Sequence, residues 1–177
     1  DLRGLVIKNA NMASSRTKKT FSQSDEYQKN GRKPKEKGIE YSYKLLLSWL
    51  VDSPELFGKV SDIVGREDFE EEPYKKAAEL LYEQYEKHEA NPAQIMNHFT
   101  DEEEHREVAG LFHTKIKELT TVKEQEKALQ ETILRVKEHS IEEATKNLDP
   151  TDIQGLQRLM NEKRKMQDLR TLHISIN

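Results

Sequence analysis

The sequence predicts an all-α protein: a small helical bundle joined by a long connecting helix to a C-terminal antiparallel helical hairpin, with a disordered N-terminal tether. Three observations carry that reading. Apolar residues recur at steps of three, four and seven, and no stretch alternates with period two over strand length. Seven Gly and five Pro in 177 residues leave few turns. Charged residues (35%) outnumber hydrophobic ones (34%), a balance that suits elongated, well-solvated helices better than one compact globule.

The charge is unevenly placed. Residues 1–40 hold ten Lys/Arg against five Asp/Glu, and residues 41–177 hold nineteen against twenty-eight. Leu2 to Ile7 is a short apolar scrap, and from Asn9 to Gly38 aliphatic side chains nearly vanish. Such a segment buries too little surface to offset its ordering entropy, so residues 1–38 read as a flexible basic linker. The alternative is a basic arm making weak nucleic-acid contact through Arg16, Lys18, Lys19, Arg32, Lys33, Lys35 and Lys37, with Phe21 and Tyr27 between them. The acidic remainder argues against the folded surface being a nucleic-acid platform. The start at Asp1 suggests a fragment of a longer protein.

Residues 39–120 supply the bundle. A helix is expected over Tyr41–Val51, with Leu45, Leu46, Trp49 and Leu50 on one face. Ser53-Pro54-Glu55 has an N-cap serine, a first-turn proline and an acid near the positive helix end, so it opens a second helix. That helix is expected to carry Leu56, Val60, Ile63 and Val64 inward and to stop at a left-handed Gly65. Glu70–His88 presents Tyr74, Ala77, Ala78, Leu81, Tyr82 and Tyr85 on a broad face. Asn91-Pro92 opens a short helix through Ile95, Met96 and Phe99. Thr100-Asp101-Glu102-Glu103 has the capping-box pattern and starts a helix bearing Val108, Leu111 and Phe112, with Ile116 and Leu119 continuing that face.

Residues 121–177 form the long helix and terminal hairpin. The first arm is expected over Val122–Asn147, with its stripe at Val122, Leu129, Ile133, Val136, Ile141, Ala144 and Leu148. The second is expected over Thr151–Leu172, with Ile153, Leu156, Leu159, Met160, Met166, Leu169 and Leu172. Asp149-Pro150 breaks the chain between them, because proline lacks the N–H and disfavours helix in the residue before it. A hairpin of this kind lacks a third layer, and no apolar sequence follows it except the short end His173–Asn177. Either its arms satisfy each other, or it swaps into a homodimer, or it keeps part of its stripe for another molecule.

Catalytic chemistry is hard to place. With no Cys, disulfides, thiolate metal sites and cysteine catalysis are excluded, which is compatible with a reducing cytosol. Glu102 and His105 have the i, i+3 spacing of a metal-ligand pair, but di-metal bundles need two such pairs and two more carboxylates. The acid runs Glu70–Glu72, Asp101–Glu104 and Glu142-Glu143 lie at expected helix starts or on solvent faces. Gly-rich phosphate loops and a serine nucleophile turn are missing. No cofactor and no enzymatic activity are expected of this chain alone. No run of about 18 apolar residues could span a bilayer.

The run Tyr43-Lys44-Leu45-Leu46-Leu47-Ser48-Trp49-Leu50-Val51, followed by Ser53-Pro54-Glu55-Leu56-Phe57, resembles the opening of the C-terminal helicase-binding domain of bacterial DnaG-type DNA primases. Phe69 to Tyr74, Leu80-Leu81-Tyr82 and the Asn91-Pro92 helix start follow in the same order. The charged second arm, Leu156-Gln157-Arg158-Leu159-Met160-Asn161-Glu162-Lys163-Arg164-Lys165, completes a similarity covering residues 39–172. The resemblance implies a cytoplasmic docking module of a protein that polymerises RNA primers on DNA. Its terminal hairpin would bind the N-terminal domains of the hexameric replicative helicase, and its bundle would modulate that helicase. The helicase's own N-terminal domain has a similar bundle and is the rival assignment. The partner-binding residues expected on the hairpin are Leu156, Leu159, Met160, Met166 and Leu169 for apolar contact, with Lys163, Arg164 and Arg170 steering toward an acidic partner.

Overall fold

A computed structural model describes residues 38–89, 91–113 and 121–176. Every regular element among them is helical: α1 (Gly38–Asp52), α2 (Pro54–Val60), α3 (Tyr74–Glu86), α4 (Glu102–His113), α5 (Val122–Asn147) and α6 (Ile153–Leu169). Two 3₁₀ segments, Arg66–Asp68 and Pro92–His98, connect them. The expected tether and the Ile116 and Leu119 face lie outside the described residues.

α1 is the bundle's axis and packs against α2, α3, α4 and α5. Tyr43, Leu46, Leu47 and Leu50 are fully buried along it. Its two serine hydroxyls bond within the helix: Ser48 Oγ donates to the Lys44 carbonyl at 2.7 Å and Ser42 Oγ to that of Gly38 at 3.1 Å. Ser53 caps α2 as expected, its Oγ accepting from Leu56 N at 3.2 Å.

Gly65 departs from its expected role. α2 ends at Val60, and Gly65 sits extended at φ −92°, ψ 171° as the first residue of the Arg66–Asp68 turn. Its N–H donates to the Asp68 carboxylate at 2.8 Å, so a side-chain acceptor closes this turn and no left-handed residue is needed. α3 also starts later than expected, at Tyr74 instead of Glu70, because Pro73 holds the residues before it out of the helix. Its far end is a Schellman closure, with His88 N bonding Tyr85 O, Glu89 N bonding Gln84 O, and His88 left-handed at φ 56°.

Aromatic side chains fasten α3 to the first two helices. Phe57 stacks on Tyr85 with ring centroids 3.8 Å apart and meets the Tyr82 edge at 4.8 Å. The Tyr85 hydroxyl donates to Leu50 O at 3.2 Å, and the Tyr82 hydroxyl donates to Val64 O. The Asn91-Pro92 segment is 3₁₀, and Asn91 makes no side-chain cap. The tighter turn delivers Ile95 and Phe99 to the core. α4 is capped one residue later than expected. Asp101 Oδ1 accepts from Glu103 N and Glu104 N at 2.9 and 3.1 Å, in place of a Thr100 box.

The long helix corrects the expected architecture most. Its limits are as expected, and Thr121 and Glu124 form a reciprocal capping box. It does not leave the bundle, however. Leu129, Ile133 and Val136 belong to the core and pack toward α1, so the described residues make one compact unit. The stripe assigned to the hairpin seam is therefore largely spent on the bundle. The chain end is a second correction. After α6, Ile174 inserts into the same core, Ser175 O accepts from Lys59 Nζ at 2.9 Å, and Ile176 N donates to Glu126 at 3.2 Å.

Candidate protein-docking surface

α6 is the element on which the candidate residues stand. Asp149 accepts from Thr151 N at 2.9 Å and turns the chain, and Asp152 then caps α6 by accepting from Gly155 N at 2.9 Å. The helix thus starts at Ile153, two residues after the expected Thr151, because the aspartates hold Pro150 and Thr151 in the turn. Gly155 permits this closeness: a Cβ there would come within 2.5 Å of both Asp152 Oδ2 and Leu148 Cδ1. The pairings Lys137–Glu162 and Gln130–Leu169 along the arms show that α6 runs antiparallel to α5.

At about 100° per residue, α6 has three faces. Gly155, Leu159, Glu162 and Met166 face α5. Met166 is buried, Leu159 and Leu169 are half-buried, and all three contribute to the interior or its margin. On one flank stand Ile153, Leu156, Met160, Lys163 and Arg164. Ile153 and Met160 are 68% and 67% exposed and Leu156 is 40% exposed. Neither Lys163 nor Arg164 has an ion-pair partner among the described residues. This flank has no carboxylate, so it pairs an apolar stripe with uncompensated positive charge. The opposite flank carries Arg158, Lys165 and Asp168 and overlooks a groove of about 1120 Å³ floored by α5.

The eight expected contact residues therefore divide. Leu156, Met160, Lys163 and Arg164 share the open flank. Leu159, Met166 and Leu169 turn inward. Arg170 pairs with Glu138 of α5 at 3.1 Å and ties the C-terminal end of α6 to its neighbour. Ile153 was assigned to the seam stripe and not to the contact set, although it is the most exposed aliphatic residue of α6. Its position at i−3 from Leu156 and i−7 from Met160 is the signal that could have placed it there.

One buried ionic cluster fixes α6 against the bundle. Lys137 Nζ, on α5, lies 3.0 Å from both Asp68 carboxylate oxygens and 3.1 Å from Glu162 Oε2. Asp68 and Lys137 are 2% and 7% exposed. Burial pulls the Lys137 ammonium pKa down, but the charges and hydrogen bonds of Asp68 and Glu162 outweigh it and hold the pKa above its ordinary value. Burial likewise pushes the Glu162 carboxyl up, and hydrogen bonds from Lys165 and Lys137 bring it below its usual range. Asp68 also accepts from Gly65 N, so the bend after α2, the long helix and the last helix share a single knot.

Side chains suited to other chemistry are scattered. Glu102 and His105 are both exposed, and among the described residues no three His, Asp or Glu side chains converge as a metal site. His139 lies half-buried with its ring 6.3 Å from that of Tyr43, whose hydroxyl burial pushes up to about 12. No described helix is long and apolar enough to cross a membrane. No family model matches the chain, and neither a curated protein nor a solved structure matches it.

Proposed function

We propose that this chain is the helicase-interaction domain of a DnaG-type primase, a cytoplasmic module that docks on the N-terminal domains of the hexameric replicative helicase through its terminal hairpin. The observation that carries the reading is the open flank of α6, where Ile153, Leu156 and Met160 run into Lys163 and Arg164. Exposed apolar stripes of this kind mark interaction sites, and the positive charge beside this one suits an acidic partner surface. The resemblance of residues 39–172 to the primase domain supplies the identity of that partner. In this reading the bundle, held to α6 by the Lys137 knot, passes the docking event to the helicase, and the primer-polymerising activity belongs to other parts of the parent protein.

Calorimetric titration into the helicase hexamer tests this. Met160→Asp changes a side chain that is 67% exposed, so it should abolish measurable binding while leaving the helical content intact. Undiminished affinity in Met160→Asp and Ile153→Asp together would remove this flank from the interface. Truncation at Asn147 is unsuitable, since it would also take Ile174 out of the core.

A further inference from the structure

The groove on the other flank of α6 is a separate feature. Its floor is the C-terminal half of α5, with Lys137, buried Ile141 and exposed Ala144, and half-buried Leu148 just beyond the helix; its walls are α6 on one side and the Ser61–Asp68 segment on the other. At about 1120 Å³ it exceeds the usual range of roughly 300–1,000 Å³ for small-molecule pockets. From Gly155 to Leu169 it follows α6 for about 21 Å, the length of a helix of about 14 residues. α6 packs principally on α5, so the arms form two sides of a three-helix arrangement whose third position is this groove.

The charges along the rims are segregated. On the bundle wall Asp62 and Glu67 have no ion-pair partner among the described residues. On the α6 wall Arg158 is likewise unpaired, with Arg164 on the crest above it, while Lys165 shares its charge with Glu162 and Asp168 adds one acid at the far end. We propose that this groove docks an amphipathic helix of another protein, its apolar face on Ile63, Ala144 and Leu148 over the edge of Ile141, with carboxylates along the edge facing α6 and basic residues along the edge facing Asp62 and Glu67. A helix turned end for end exchanges its edges, so the segregated charges also fix the direction in which the partner lies. A second copy of this chain does not fit. The exposed stripe of α6 carries Lys163 and Arg164 without a carboxylate and would set like charge against Arg158.

The test uses the full chain and three synthetic helical peptides of about 15 residues with one shared leucine face. The first has glutamates on one edge and lysines on the other, the second glutamates on both, the third lysines on both. Fluorescence anisotropy at low salt should show the first binding at least about fivefold tighter than either control. Its methyl NMR footprint should include Ile63 and Ile141 and spare Ile153. Ala144→Lys, at an exposed floor position that tolerates the longer side chain, should weaken it by at least about fivefold, and Met160→Asp on the opposite flank should leave it unchanged. The proposal is overturned by a smaller preference among the peptides, by a footprint on Ile153, or by no binding up to about 1 mM. None of these outcomes depends on whether the helicase binds the open flank.

Discussion

Replacing Lys137 by Met removes the centre of the ionic knot and leaves its steric outline. The structure sets the size of the effect. Asp68 is 2% exposed and would keep only the 2.8 Å hydrogen bond from Gly65 N. Glu162 is half-exposed and can turn to Lys165 and to water. Stranding a buried charge costs about 3–5 kcal/mol, and the surviving hydrogen bond puts Lys137→Met near the lower end of that range. About 3 kcal/mol corresponds to roughly a 150-fold shift in the folding equilibrium. Adding Asp68→Asn removes the stranded charge and should recover about 1–2 kcal/mol, so the two changes should be clearly non-additive. Urea unfolding of the four proteins at pH 7, followed by circular dichroism at 222 nm, measures the cycle. A loss below about 1 kcal/mol for Lys137→Met, or simple additivity, would refute the reasoning and mean that the cluster behaves as a surface ion pair.

Four further outcomes are expected. His88→Gly should raise stability by about 0.5–1 kcal/mol, since it relieves a left-handed histidine at the end of α3, and thermal melts would show it. Ile174→Ala should cost about 2–4 kcal/mol although only three residues of the sequence follow it, because its side chain is 6% exposed in the core; a loss under about 0.5 kcal/mol in the same urea assay would mean the tail does not pack there. The Lys137 pKa is raised on folding, so its contribution is full below its unfolded value near 10.5 and is lost as pH rises through the folded value; Lys137→Met should show a flatter alkaline limb of stability against pH. The Glu162 pKa is lowered on folding, so its share is present above its unfolded value near 4.5 and is lost as pH falls through the folded value; Glu162→Gln should flatten the acid limb.

The helical character and most element positions were legible because local rules decide them. Ser53-Pro54 announces a helix start through its own side chains, and the structure uses it. The departures come where two local signals compete or where the partner is distant in sequence. Pro73 delayed α3 within a run whose periodicity ran straight through it. Gly65 reads alone as a helix stop, but Asp68 three residues on makes it the start of a tight turn. Which neighbour an apolar stripe faces is invisible to periodicity: the α5 stripe at Leu129, Ile133 and Val136 would fit a hairpin seam as well as it fits the bundle. The Asp68–Lys137 pair joins residues 69 apart and carries no local signature. For the candidate site, residue types at helical spacing identified α6, but dividing Leu156 and Met160 from Leu159 and Met166 required knowing where α5 lies against it.

The most direct measurement is a methyl NMR map of the isotopically labelled chain as the N-terminal domain of the helicase is added. Docking through the open flank makes the Ile153, Leu156 and Met160 methyl signals broaden or shift first, with those of Leu159 and Met166 following only as far as the helix itself responds. Perturbation confined to the bundle around α1 to α4, with the three open-flank methyls unchanged at saturation, would contradict it.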